Sequence, residues 1–501
     1  MQLVTERQAG DRAMTRRVEA GTLRGACDDG ICRFLGVPYA APPVGENRFR
    51  EPQPVPAWEG ERDATQPGHC APHRIKDFPA LDIVPLVGEG ADEGEDYLAL
   101  NVWAPEDAAD RPVMVFIHGG GYVIGSKDAP VSDGTEFARS GVVCVAINYR
   151  LGIDGFLPIP GVPTNLGLRD MIFALQWVQR NIAAFGGDPK NVTVFGESAG
   201  AMAIANLIAS PLAQGLFKRA IIESGHGAMV RDIPVARKLV AKLAKVLQIT
   251  PDEKGFRSVG FDASWKAMEK VSAPLRIDMR DATGMEPVYG ISRFIPVWGD
   301  DVLPDKPVDA LKKGVGKDVE VLIGTNAEEM NLYFVPTRVR DRMPGFIFRW
   351  LLGKSHPKAK DVVRAYGWGK GKKGGHVVVE AMHDLVFRGP ARQCAEAHLG
   401  KTHMYEFDWR SPACNGQLGA CHGLELPFVF KTLGLATGPK GLAGESPPQD
   451  LADHAHGIWV RFATDGSLPW PEFDRDHRNV YLLGSNRTIE EPVMPVAPFL
   501  P

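Results

Sequence analysis

No apolar run in the 501 residues reaches the roughly 18 needed to span a bilayer, because charges interrupt each one. The first 17 residues are polar and lack an apolar core followed by a small-residue cleavage site, so no secretory signal is expected. Charge of one sign is scarce too. The 57 Lys and Arg against 61 Asp and Glu leave a net −4, with a pI near 6.4. That balance gives no electrostatic case for gripping nucleic acid or an anionic membrane. Cysteine is sparse: seven residues, an odd number, with no Cys-x-x-Cys pair. A disulfide framework or a zinc site wants the opposite. Cys27 and Cys32 flank the turn Asp28-Asp29-Gly30, a spacing that would let them face each other if the segment is a hairpin. The expectation is two reduced thiols in a cytoplasmic protein. Repeats and long low-complexity linkers are missing as well. Binding module, fibre and membrane protein are all disfavoured.

What the sequence has is ordinary enzyme composition, 44% hydrophobic and 24% charged. At roughly 150 residues per domain the length suggests about three domains, but large α/β folds absorb such lengths as one. We expect an N-terminal extension over residues 1–16 and a single domain over 17–496. Residues 18–101 alternate short strands, turns and proline-rich loops. Then come continuous apolar runs of strand length at 112–117, 142–147 and 191–195. Strands apolar throughout belong in a parallel sheet covered on both faces by helices. Residues 166–185 carry Leu168, Ile172, Leu175, Ile182 and Phe185 at helical spacing, with Asn165 expected to cap the start and Gly186-Gly187 the end. Further strands are expected at 219–222, 319–323 and 403–407, and a late helix at 451–464. The fold class is α/β: a doubly wound, mostly parallel twisted sheet with helices on both faces. Segments 231–310 and 331–397 look helical and irregular, as insertions roofing a pocket.

Gly196-Glu197-Ser198-Ala199-Gly200 lies between a strand and a small-residue helix. A nucleophile elbow needs that context, since the serine sits on a strained turn flanked by small residues. The helix N-terminus beyond it favours negative charge developing nearby. Upstream, His118-Gly119-Gly120-Gly121-Tyr122 closes an apolar strand, where three glycines let backbone N–H groups approach an oxyanion. The serine needs a base, and the base an orienting acid, in the order Ser, acid, His. Glu328 and Glu329 both stand beyond the strand ending near residue 323, and the residues alone do not choose between them. Of nine later histidines, His422 stands out in a loop between Gly419 and Gly423. His454 and His456 read as solvated surface, and His376 as part of a flexible basic loop.

The chain resembles the type-B carboxylesterase and cholinesterase-like family over nearly its whole length, most closely the bacterial para-nitrobenzyl esterase branch. The blocks that carry the resemblance are Phe34-Leu35-Gly36-Val37-Pro38-Tyr39-Ala40, Pro42-Pro43-Val44-Gly45, Glu95-Asp96-Tyr97-Leu98, Asn148-Tyr149-Arg150-Leu151-Gly152 and Phe185-Gly186-Gly187-Asp188-Pro189, leading into the elbow. The resemblance implies an α/β-hydrolase fold with Glu329 as the acid and His422 as the base. It implies oxyanion donors at the N–H groups of Gly120, Gly121 and Ala199, with Glu197 and Ser224 supporting the triad. It also implies that Tyr97 replaces a cysteine that pairs, in secreted relatives, with the counterpart of Cys70, so that bond cannot form. Met330 replaces a usual glycine and, with Tyr122, Tyr333 and Phe334, is expected to wall the pocket. The segment 346–352 is expected either to pack as an ordinary helix or to form an apolar wall.

The expected reaction is hydrolysis of small carboxylic esters, short-chain or aromatic, through an acyl-enzyme. No metal or organic cofactor is called for, and no partner beyond the substrate; a monomer is expected. Two alternatives stand beside it. One is an amidase or carbamate hydrolase using the same residues; the other, more remote, is a non-catalytic cholinesterase-like binding protein.

Overall fold

The computed structural model describes residues 12–76, 78, 80–90, 94–273 and 276–500. A sheet of thirteen strands runs through the molecule. It opens with an antiparallel meander, β1 (Arg12–Val18), β2 (Gly21–Asp28) and β3 (Ile31–Pro38). β1 starts inside the segment expected to be an extension. It reads as polar because it is an edge strand whose side chains are mostly exposed, yet all seven of its residues pair with β2. The β2–β3 turn consists of Asp29 and Gly30, both at positive φ (48° and 75°), a two-residue hairpin loop. That register sets Cys27 opposite Cys32 with Cα atoms 4.0 Å apart, and the two are bonded as a disulfide. The expectation of reduced thiols is therefore corrected: local turn geometry, not cysteine count, decides the pairing.

The sheet continues through β4 (Ala99–Pro105), β5 (Arg111–Ile117) and β6 (Val143–Ile147). Helix α1 (Leu166–Asn181) leads to β7 (Gly187–Glu197), which runs into α2 (Ala199–Ala209) and then β8 (Arg219–Glu223). The spatial order at the centre is β3-β4-β6-β5-β7-β8, and from β6 through β8 every pairing is parallel. Alternate residues of one strand serve opposite cores. Val113, Val115 and Ile117 pack on the α1 and α2 side, whereas Met114 and Phe116 join Phe195 and Phe430 on the other. Strands buried on both faces are apolar throughout for that reason.

Residues 231–310 contribute α3 (Ile233–Leu247) and α4 (Phe261–Ser272), followed by β9 (Glu320–Asn326). The second insertion supplies α5 (Gly345–Leu352), α6 (Gly374–His383) and α7 (Gly389–Ala397), before β10 (Thr402–Phe407). Helix α8 (Gln449–Asp465) covers the second face, and β11 (Asn479–Leu482) with β12 (Arg487–Glu490) closes the sheet.

Three local expectations are corrected. Asn165 does not cap α1; it sits at φ 56°, donates its amide to Val297 O and Asp300 Oδ2, and accepts from Val297 N. It ties the first insertion to the sheet. His376 lies on α6, not in a loop, with its Nε2 2.7 Å from Asp341 Oδ1. His456 is buried between Val429 O and Ser140 Oγ, 2.8 Å from each, so it is a satisfied interior histidine. His454 is half-buried, 2.7 Å from the Tyr481 hydroxyl. Local spacing cannot reveal partners supplied by distant chain.

Candidate active site

β7 ends at Glu197 and α2 begins at Ala199, leaving Ser198 alone on the turn with φ 55° and ψ −120°. That conformation is costly for a non-glycine residue and persists because both flanks are fixed. Its N–H donates to Glu223 O at 2.9 Å, pinning the turn to β8. A Cβ at Gly200 would stand 1.9 Å from the carbonyl oxygen of Ile117, so helix and strand approach closely only because that residue is glycine.

The Ser198 hydroxyl donates to His422 Nε2 at 2.8 Å. The other ring nitrogen, Nδ1, donates to Glu329 Oε2 at 2.6 Å. Glu329 is fully buried, and its second oxygen accepts from Ser224 Oγ and from the Asn326 N–H, each at 2.7 Å. Glu328 turns away. Its Oε2 pairs with Arg410 and accepts the Ala420 N–H, and Oε1 takes the Asn331 amide. Among the two candidate carboxylates, then, only Glu329 meets the imidazole.

Glu197 Oε1 lies 3.0 Å from His422 Nε2, the nitrogen that faces the serine. Burial raises the Glu197 carboxyl above its ordinary range, His422 opposes this, and Glu329 adds to it. For His422, burial pulls the imidazole down, but Glu197 and Glu329 outweigh that and raise it to about 9. Both shifts follow from burying the two groups side by side, each acting on the other's charge. Two aromatic rings flank the imidazole: Phe387 at 4.5 Å and Tyr333 at 5.8 Å between centroids. Phe387 is carried by a π-helical turn, Asp384–Arg388, joining α6 to α7. No spacing rule in the sequence singles out this residue. Such turns recur at functional sites because one extra residue re-aims a side chain.

Gly120, Gly121 and Ala199 occupy the two backbone segments beside the serine, after β5 and at the head of α2. Gly120 has φ 102°, and a Cβ there would stand 2.2 Å from Ile124 O, whose own N–H donates to Gly120 O. Glycine is required for that tight loop. His118 is stacked on Tyr149 at 4.4 Å, and burial lowers its pKa to about 3, so it stays neutral. Its own carbonyl accepts the Tyr149 hydroxyl.

A cavity of about 640 Å³ is lined by Met330, Tyr333, Phe334, Phe348 and Leu352 together with residues of the first insertion. Met330 is buried and its N–H donates to His383 Nδ1 at 3.0 Å. One side of α5 thus forms an apolar wall, with Phe348 edge-on to Phe334 at 5.0 Å. Phe346 is exposed outside the cavity, whereas Trp350, also exposed, lines it. Tyr122 does not line this cavity: it is buried against Phe156 at 4.5 Å. Tyr97 is also buried, and the Cys70 thiol donates to Gly90 O. Among the described residues no group of three or more His, Cys, Asp or Glu is placed to hold a metal ion. None of the described helices is long and apolar enough to cross a membrane.

The sequence profile of the carboxylesterase family matches residues 12–494. The para-nitrobenzyl esterase of Bacillus subtilis (strain 168) is 35% identical over 491 residues, covering 94% of each chain. The phenmedipham hydrolase of Pseudarthrobacter oxydans is 33% identical over 486 residues, 93% of this chain and 94% of its own. A solved structure of a PNB esterase superposes with a TM-score of 0.82 at 31% identity, over 97% of this chain and 99% of that one.

Proposed function

The chain belongs to the carboxylesterase family and is a carboxylic ester hydrolase, and from that premise we propose that Ser198, His422 and Glu329 carry the hydrolysis through an acyl-enzyme. The observation that supports the assignment is the unbroken relay from Ser198 Oγ through His422 to Glu329 Oε2, at 2.8 and 2.6 Å. His422 takes the serine proton as Oγ attacks the ester carbonyl. Glu329 fixes the ring with Nδ1 protonated and stabilises its charged form. The N–H groups of Gly120, Gly121 and Ala199 receive the oxyanion of the tetrahedral intermediate, where one lost donor costs about 10²–10³ in rate. His422 then protonates the leaving alcohol, and water enters by the same route to release the acid.

Glu197 and Ser224 support this relay from either end. Ser224 holds the far oxygen of Glu329. Glu197 keeps a second carboxylate beside Nε2, favouring the imidazolium that forms as the serine is deprotonated. The substrate class is small esters with short-chain or aromatic groups, admitted along the apolar wall of Met330, Tyr333 and Phe334. The phenmedipham hydrolase among the relatives favours a second reading, carbamate cleavage with the same residues.

A p-nitrophenyl ester series, a matched anilide and a phenylcarbamate, run beside Ser198→Ala, test both. Ester turnover should fall by about 10⁴–10⁶ in the variant. Undiminished turnover there would remove Ser198 from the mechanism, and faster carbamate than ester cleavage would favour the second reading.

A further inference from the structure

Two arginines and one glutamate from the first insertion are buried together behind the apolar wall. Arg231 and Glu286 form an ion pair, and the Arg231 Nη1 donates to the carbonyl of Arg293 at 2.8 Å. The other Glu286 oxygen accepts the Gly290 N–H at 2.9 Å. Glu286 is thus occupied at both oxygens. Arg293 reaches it only at 4.0 Å through Nη1, and its Nε is buried with no hydrogen-bond partner. Its side chain is only 8% exposed, and it lines the cavity that Met330, Tyr333 and Phe334 enter from the triad side.

Two buried guanidiniums share the one buried carboxylate Glu286, while Asp232 acts on Arg231 as well, and the Arg293 Nε is left without a hydrogen-bond partner. A buried charge without a full complement of partners is costly and is retained where something else completes it. The neighbouring residue ties the site to the chemistry: the Ser292 hydroxyl donates to the carbonyl of Gly121, in the glycine loop beside Ser198. The guanidinium fork that is left open is the shape that accepts a carboxylate.

We propose that Arg293 is a carboxylate-binding residue, and that the preferred substrates are esters bearing a free carboxylate, such as half-esters of dicarboxylic acids. The proposal rests on Ser198 being the nucleophile, and it adds the anionic substituent as the specificity element. A bound carboxylate would take the open N–H groups of Arg293, which Glu286 reaches only at 4.0 Å.

Two substrate pairs locate the anion. Mono-p-nitrophenyl adipate against p-nitrophenyl heptanoate places it on the acyl side; 4-acetoxybenzoate against phenyl acetate places it on the alcohol side. In wild type, kcat/KM for the anionic member of one pair should exceed that of its neutral partner. Arg293→Gln should lower the ratio of anionic to neutral kcat/KM by about 10-fold or more, and Arg293→Lys should recover part of that ratio. Retained neutral turnover in the variants reports that they fold. Calorimetric binding of free adipate, lost in Arg293→Gln, reads the site without turnover. If adipate binds through Arg293 but neither ester is cleaved, the esterase reading fails and the anion site stands. Equal loss on neutral and anionic esters, or no anionic preference in either pair together with no adipate binding, would overturn the proposal.

Discussion

Glu329 has both oxygens committed, Oε1 to Ser224 and the Asn326 N–H, Oε2 to His422. That is why it, and not its neighbour, meets the imidazole: leaving β9, the chain points Glu328 to Arg410 and turns the next carboxylate, Glu329, into the sheet. Two adjacent glutamates look alike along a sequence, and the distinction comes from strand-end geometry that no local pattern encodes. The serine and histidine were legible because glycines bracket each. Phe387, Ser292 and Arg293 were not, since an aromatic, a hydroxyl and an arginine within irregular insertions carry no spacing of their own. Glu197 gives a pH prediction. Its carboxylate helps to hold His422 above the ordinary histidine value, and in the proposed mechanism the histidine must be neutral to take the serine proton. Activity is therefore lost as pH falls through the His422 pKa. Glu197→Gln removes one raising charge, so the acid limb of kcat/KM should move to lower pH, by about one unit or more. An unmoved or rising limb would show that Glu197 does not act on His422.

At the level of elements, the apolar runs gave β5, β6 and β7 within a few residues, because strands buried on both faces have no polar positions to blur them. The failures share one cause. Asn165, His376 and His456 were read by their neighbours in sequence, whereas their surroundings come from residues up to hundreds of positions away. A nearer pair, 20 positions apart, ties the end of β6 to α1. Arg150, just past β6, donates through Nε and Nη2 to both oxygens of Asp170 on α1, and Asp170 also accepts the Arg150 N–H. Both side chains are buried. Breaking one partner strands the other charge, so Asp170→Ala should cost about 3–5 kcal/mol in urea unfolding. A loss below 1 kcal/mol would mean that water or a neighbour replaces the carboxylate.

Across the whole molecule, the Cys27–Cys32 disulfide lies in the antiparallel flank of the sheet, on strands that bear none of the triad residues. It removes the redox argument for a reducing compartment, which rested on cysteine scarcity. Closing so short a loop restricts the unfolded chain by only ~2 kcal/mol. Cys32→Ser should lower stability by about that amount and leave kcat/KM unchanged, as read by thermal unfolding beside an ester assay; a fall in kcat/KM would tie the hairpin to the site. The relay itself draws on the ends of β7 and β9 and a loop beyond β10, with Ser198 and His422 separated by 224 positions. Its three members cannot meet until those strands have aligned, and contacts so remote in sequence are among the last to form. Reactivity of Ser198 toward a covalent ester-mimicking probe is then a census of native molecules. During refolding, its recovery should trail the return of secondary structure, timing the moment at which the sheet becomes whole.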